Sequence, residues 1–167
     1  SGTDLQTAWR QTDYDDSAWP SGPGLLYVEN AALPAPKGTE LTLGAQTFYF
    51  RGEFQIEEVD SLIAAWVTPI IDDGAVFYVN GTEIGRFNMP EGEILYSTPA
   101  AGVTGDAAIS AALYVPTSLL VEGANVLAVE VHQHGGGSTD IVMGAEVKVQ
   151  SPAPSQETAE ADLVFNE

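Results

Sequence analysis

Several carboxylate side chains stand close together in the sequence, and their number suggests cation binding. Asp13, Asp15 and Asp16 offer three carboxylates within four positions. Hard oxygen ligands of this kind bind Ca²⁺, and Glu146 could supply a fourth ligand if the two ends of the domain meet. We therefore expect a structural Ca²⁺ site at these four residues. The alternative is that the acidic cluster only caps the turn after Asp16.

A second acidic pair, Asp72 and Asp73, precedes Gly74 at the end of an apolar stretch. Consecutive strand residues point to opposite sides, so this pair is not expected to converge on one substrate atom as an acid–base pair must. Three roles stay open: a turn that shapes only the backbone, a contact to a sugar ligand, or a contact to a cation. Both residues are kept as candidate ligand-binding residues.

His132 and His134 are two positions apart in an alternating stretch, so both side chains are expected on one face of a strand. This spacing can hold Zn²⁺ or Cu²⁺ when a third ligand arrives from elsewhere. No such ligand is evident. We favour hydrogen bonding to sugar hydroxyls, next to the glycine-rich loop at 135–137.

Aromatic side chains in loops and on strand faces are the natural platform for a sugar ring, whose C–H face packs on them while polar groups bind its hydroxyls. Trp19 and Tyr49 are the aromatic candidates, and Arg51 and Asn88 the polar ones. Packing within the domain is the alternative for Trp19. Trp9 is expected in the core.

Composition excludes several classes of function. The chain of 167 residues has 24 acidic and 5 basic residues, for a net charge of −19, so it lacks the cationic surface that nucleic-acid binding needs. The absence of cysteine excludes disulfides and thiol chemistry. No apolar run approaches the roughly 20 residues that cross a bilayer, and no membrane insertion is expected. No nucleophile motif is present, so we predict no catalytic residues and no enzyme activity.

The elements that must position these residues are strands. Phe48, Phe50, Phe54 and Ile56 alternate with polar residues, as on a half-buried strand, and the stretch 141–149 shows the same period of two. Asn80-Gly81 is a strong hairpin signal. The hairpin explains the sequon Asn80-Gly81-Thr82 without glycosylation.

These patterns predict an all-β fold, a two-sheet antiparallel β-sandwich, over residues 1–150. Residues 151–161, rich in Pro, Ala and Glu, read as a linker. Residues 162–167 read as the start of a following domain or as a disordered tail.

The chain resembles the galactose-binding-domain-like jelly rolls found as accessory modules in secreted bacterial multidomain proteins, which are related to the sugar-binding domain of family 2 glycosidases. Matching segments span roughly residues 8–150, and they are 15–23 (DDSAWPSGP), 47–54 (TFYFRGEF), 72–85 (DDGAVFYVNGTEIG), 88–90 (NMP) and 119–132 (LLVEGANVLAVEVH). The resemblance implies a jelly roll without catalytic activity, which binds carbohydrate or acts as a spacer and in some members holds Ca²⁺.

From the residues and the resemblance together, we expect a non-catalytic carbohydrate-binding accessory module of an extracellular or cell-surface multidomain protein. Its expected partners are a glycan or polysaccharide and the neighbouring domains of the same chain. The alternative is a structural or adhesion spacer, stabilised by Ca²⁺, without a sugar ligand.

Overall fold

A computed structural model describes residues 3–152, 160–161 and 164–166 of the chain. The described residues form two facing β-sheets and three single-turn 3-10 helices, at Ala8–Arg10, Val59–Ser61 and Thr117–Leu119. The predicted all-β, two-sheet sandwich is therefore confirmed. None of the helices in the described segments is long and apolar enough to cross a bilayer.

The strands pair almost entirely in antiparallel fashion. In chain order they are β1 Ser21–Pro23, β2 Leu26–Val28, β3 Thr39–Glu40, β4 Thr47–Ile56, β5 Ala64–Asp72, β6 Gly74–Val79, β7 Thr82–Phe87, β8 Ala108–Ile109, β9 Leu113–Val115, β10 Gly123–His132, β11 Ile141–Gln150, β12 Glu160–Ala161 and β13 Val164–Asn166. Sheet A has the order β1-β13-β4-β10-β6-β7. Sheet B has the order β3-β2-β11-β5-β8, with β9 paired to β5 and β12 to β11. The parallel pair is β2 with β3.

The main core lies between the sheets and is built from the apolar face of each alternating strand. The predicted faces of β4 and β11 both point inward: Phe50 is fully buried on β4, and Ile141 and Met143 are fully buried on β11. The period of two is thus sufficient to identify which side of these strands the core occupies.

The outer face of sheet A is also covered, which the alternation of polar residues did not predict. Trp9 lies fully buried against Tyr49, Tyr78 and Ala128, in an apolar layer separate from the main core. The residues around Trp9 belong to no strand. They cover positions on the strands that the alternation of polar and apolar residues predicts to be exposed to water. The expectation that Trp9 is a buried residue is confirmed.

The hairpin predicted at Asn80-Gly81 joins β6 to β7, with Val79 paired to Thr82. Both turn residues have positive φ, 49° and 84°, as the tightest hairpins require. The Asn80 side-chain nitrogen donates to the Leu119 carbonyl (2.8 Å) and to Asn125 Oδ1 (2.8 Å). The amide of the sequon thus makes hydrogen bonds within the fold.

The two short segments described after residue 152 belong to the sheets. Strand β12 pairs with β11, and β13 lies between β1 and β4. Most of the predicted linker, 153–159, and residues 162, 163 and 167 of the predicted tail lie outside the described residues. The division into module, linker and following segment stays a prediction.

Candidate functional site

A cavity of about 340 Å³ opens on the outer face of sheet A. We call it the tyrosine cavity. Its lining residues come from the segment before β1, from strands β4, β6, β7 and β10, and from the loop after β7: Asp4, Gln6, Thr7, Arg10, Tyr49, Tyr78, Glu83, Arg86, Glu93, Ile94, Leu95, Tyr96 and Glu130. Aromatic rings, cationic side chains and carboxylates therefore share one concave surface.

Strand register explains why these side chains meet. Glu130 on β10 stands opposite Tyr49 on β4 and opposite Val76 on β6. Side chains directly opposite one another share a face of the sheet, and so do residues two apart on one strand. Tyr78 therefore shares the face with Val76, and its own partner on β7 is Glu83.

Glu130 is a buried carboxylate in the cavity floor. Its Oε1 accepts a hydrogen bond of 2.5 Å from the Tyr78 hydroxyl, and its Oε2 lies 3.4 Å from His132 Nε2. Burial raises the pKa of Tyr78, and the charge of Glu130 raises it further. Tyr49 responds in the same way: burial raises its pKa first, and Glu130 adds to the effect. Both phenols thus stay protonated donors at neutral pH.

His132 is fully buried behind Glu130. Its Nδ1 lies 2.8 Å from the Thr98 carbonyl and 3.0 Å from Thr47 Oγ1. A carbonyl can only accept, so Nδ1 carries a hydrogen. The ring thus connects the loop after β7 to the floor of the tyrosine cavity and offers no open ligand position to solvent.

Two arginines line the cavity and differ in how they are held. Arg86 pairs with Glu83 (Nε to Oε1, 2.6 Å) and donates to the carbonyls of Pro90 and Gly92. The Arg10 guanidinium lies 4.3 Å from the centre of the Tyr78 ring. Its Nε is buried and has no hydrogen-bond partner among the described residues. The Tyr78 ring thus positions the Arg10 guanidinium, while its Nε–H makes no hydrogen bond to the described residues.

Of the ligand-binding residues predicted from the sequence, Tyr49 lines the tyrosine cavity. Arg51 is buried beneath it, where its Nε lies 2.8 Å from Asp16 Oδ2 and its Nη1 donates to the carbonyls of Trp9 and Gln11. Trp19 is half-buried in an edge-to-face contact with a tyrosine ring at 5.8 Å. Arg51 thus holds the segment that walls the cavity, whereas Trp19 packs against Tyr14.

Other predicted residues gather at a second cleft, of about 420 Å³, between the loops that follow β7 and β10. Asp73 accepts hydrogen bonds from the backbone N–H groups of Thr104 (3.0 Å) and His134 (2.8 Å). Asn88 donates to the Asp73 carbonyl (3.0 Å) and to the Gly102 carbonyl (2.7 Å). Asp73 and Asn88 therefore shape the loops of this cleft, and the His134 side chain is exposed beside them.

The four residues predicted to bind a metal are not brought together. Within the described segments, Asp13, Asp15, Asp16 and Glu146 do not form a group of three converging ligands. Asp16 is paired with Arg51, and Glu146 lies 3.0 Å from Lys148.

Asp15 accepts a hydrogen bond within the turn that follows it. Its Oδ1 accepts from the Ser17 backbone N–H (3.1 Å). Hydrogen bonds from Ser17 hold the pKa of Asp15 below its usual value. This contact is the capping role that the sequence left open as the alternative.

A different carboxylate group does converge. Glu29, Asp72 and Asp140 each place an oxygen within 4.8 Å of the other two. Asp72 is 1% exposed. Burial raises the pKa of Asp72 to about 8, with further contributions from the negative charges of Asp140 and Asp73. We call these three residues the carboxylate trio.

Sequence reasoning missed Arg10, Tyr78 and Glu130 in the cavity, and Glu29 and Asp140 in the trio. The alternation of β6 and β10 places Tyr78 and Glu130 on the face away from the core, which was a usable signal. Arg10, Glu29 and Asp140 lie outside the strands, so no periodicity marks them.

Comparison with known proteins shows only limited similarity. No family model matches the chain, and no curated protein matches it. Two solved structures are similar to parts of it. They are an alpha-L-rhamnosidase from Dictyoglumus thermophilum (19% identity, 70% of this chain, 12% of that chain, TM-score 0.47) and one from Aspergillus terreus (17% identity, 84% of this chain, 15% of that chain, TM-score 0.47). This chain thus spans a small part of the length of either rhamnosidase.

Proposed function

We propose that the domain is a non-catalytic carbohydrate-binding accessory module of an extracellular multidomain protein, and that it binds sugar in the tyrosine cavity. The observation that carries this proposal is the Arg10 side chain. A buried donor without a partner is costly, and the Arg10 side chain that bears it lines an open cavity. A sugar hydroxyl or ring oxygen in this cavity accepts a hydrogen bond from the Arg10 guanidinium.

The other lining residues support a sugar as the ligand. The half-buried Tyr96 offers an aromatic surface, and the exposed Glu93 is an acceptor for hydroxyl groups. Charged residues at the cavity comprise four acids and two arginines, so the local charge is negative at 2 − 4 = −2. That balance favours neutral sugars over uronic or sulfated ones.

The absence of catalysis is part of the proposal. Glu130, the buried carboxylate of the floor, is engaged by Tyr78 and lies close to His132, which supports a fixed hydrogen-bonding role over proton transfer to a substrate. A hydrolysis assay with the sugars that bind tests this part, and release of reducing ends by purified protein would contradict it.

The binding test is titration calorimetry with neutral oligosaccharides chosen from a glycan array. We expect Arg10→Ala to weaken binding by about tenfold or more, because a hydrogen bond to a charged group contributes roughly 1.5–3 kcal/mol. Tyr96→Ala should weaken binding too, through loss of the ring contact.

Tyr114→Ala is the matched control, since Tyr114 is 55% exposed on β9 of the other sheet. Its substitution should leave the affinity unchanged. A blank glycan array with correctly folded protein would reject the sugar-binding proposal and favour the spacer.

A further inference from the structure

We propose that Glu29, Asp72 and Asp140 bind one Ca²⁺ ion at the end of sheet B, on the face turned away from the core. This site is separate from the tyrosine cavity, which belongs to sheet A. It is also separate from the acidic cluster around Asp15.

Sheet topology places the three ligands side by side. Strands β2, β11 and β5 are neighbours in sheet B. Glu29 follows the last residue of β2, Asp140 precedes the first residue of β11, and Val28 pairs with Ile141. Glu29 and Asp140 therefore come opposite each other just beyond the last pair.

The same register puts Asp72 on their face of the sheet. Asp72 pairs with Val142, which is two residues after Asp140 and so shares its face. Val142 packs in the small apolar cluster on the outer side of sheet B. All three carboxylates thus point away from the main core, into one small region.

The Asp72 carboxylate is the observation that calls for a ligand. It is 1% exposed, and neither oxygen has a hydrogen-bond partner among the described residues. A buried carboxyl group without a partner is unfavourable, and ionised groups that are buried in proteins are paired or coordinate metal ions. No described lysine or arginine forms a salt bridge with any member of the trio.

The two other carboxylates are held in place and each has an oxygen to spare. Glu29 Oε1 accepts from the Ala31 backbone N–H (2.6 Å), and Asp140 Oδ1 accepts from Ser138 Oγ (3.1 Å). In the described part of the chain, Glu29 Oε2 and Asp140 Oδ2 accept no hydrogen bond. Lys37 is nearby, but its ammonium contacts the Glu29 backbone carbonyl.

The ligand set selects the ion. Three carboxylates without histidine or cysteine favour hard cations over Zn²⁺ or Cu²⁺. Ca²⁺ accepts six to eight oxygens in flexible geometry, so water and backbone carbonyls complete its shell around ligands from β5 and from the positions next to β2 and β11. Mg²⁺ demands near-ideal octahedral geometry and sheds water reluctantly, which suits this set less well.

The experiment is a calorimetric titration of the metal-free protein with CaCl₂, combined with thermal unfolding in CaCl₂, in MgCl₂ and in NaCl of matched ionic strength. The NaCl arm is needed because screening alone stabilises a chain of charge −19. We expect saturable binding of one Ca²⁺ per chain and a rise in Tm beyond that in NaCl. Asp72→Asn should abolish both.

Asp13→Asn is the control, because Asp13 is an exposed acid outside the trio, and it should keep the full response to Ca²⁺. If Asp72→Asn does not fold, Asp140→Asn can replace it, because Asp140 is at a partly exposed loop position. This variant should also lose Ca²⁺ binding and the rise in Tm. A Ca²⁺ response that is equal in wild type, Asp72→Asn and Asp140→Asn would overturn the proposal. So would a titration without saturable binding.

Discussion

The hydroxyl of Tyr78 donates a 2.5 Å hydrogen bond to the Glu130 carboxylate, and both side chains are almost completely buried on the outer face of sheet A. The pair joins β6 to β10 through side chains, next to the backbone ladder that already joins them. A buried carboxylate such as Glu130 loses its contacts with water, and hydrogen bonds from neighbouring donors must offset that cost.

Tyr78→Phe should therefore destabilise the fold by about 1–3 kcal/mol, the cost of leaving a buried acceptor without its donor. Chemical denaturation measures the change. Tyr114→Phe, at an exposed position, should have no measurable effect. Equal stability of Tyr78→Phe and wild type would mean that Glu130 finds another donor.

Arg51→Met should destabilise the protein by about 3 kcal/mol, because it leaves buried carbonyls and Asp16 unpaired. Lys148→Met breaks an ion pair that is exposed on both sides, so its effect should stay below about 1 kcal/mol. Both changes convert a cation to the same apolar residue. Similar losses in the two variants, measured by urea unfolding, would contradict the difference in burial.

Asp72 should make the metal-free protein less stable as the pH rises. Its pKa is about 8 in the folded protein against the usual 3.8, through burial and the charges of Asp140, Asp73 and Glu29. The folded state therefore holds the extra proton between these values, and stability falls across that window.

Unfolding in EDTA at several pH values should show this fall in wild type and a flatter profile in Asp72→Asn. The difference should grow by at most about 1.4 kcal/mol per pH unit, the limit for one proton. It should level off above pH 8. Parallel profiles for the two proteins would show that Asp72 titrates normally.

At alkaline pH, Asp73→Asn should lower the stability of the metal-free protein, whereas Asp72→Asn should raise it. Asp73 accepts a backbone N–H at each carboxylate oxygen, and an asparagine turns one acceptor into a donor. We expect a loss of about 1–3 kcal/mol, whereas Asp72→Asn should stabilise the metal-free protein. Losses of equal size in both variants would show that the neighbouring carboxylates have one common role.

The core faces of the strands were predictable because each is a local pattern. Phe50 and Met143 lie in alternating stretches, and alternation alone places them between the sheets. The hairpin at Asn80 was predictable for the same reason, since its signal is two adjacent residues.

The burial of Glu130 and His132 was not predictable from alternation. Alternation indicates which face a residue occupies, but whether water or protein covers that face depends on segments without a period: here the segment that contains Trp9 walls the cavity over Glu130, and the loop after β7 contacts His132. Glu130 and His132 lie on the face of β10 that is turned away from the main core, yet both are buried. Alternation along a strand therefore indicates on which side of the sheet a side chain lies, but not whether that side chain is exposed to water.

The carboxylate trio depends on long-range pairing. Glu29 and Asp140 meet only because β2 and β11 are neighbours in sheet B, a fact that no local pattern contains. Asp13, Asp15 and Asp16 are close in sequence, and this closeness suggested a site that the fold uses for a turn and an ion pair.

The wall of the tyrosine cavity that contains Arg10 belongs to neither sheet. Arg51 secures that wall from beneath through two carbonyls, and among the described residues no backbone hydrogen bond joins the wall to a strand. Substitutions in the wall can thus alter the shape of the cavity without disturbing a strand ladder. During divergence, ligand preference and architecture can change separately in such a domain.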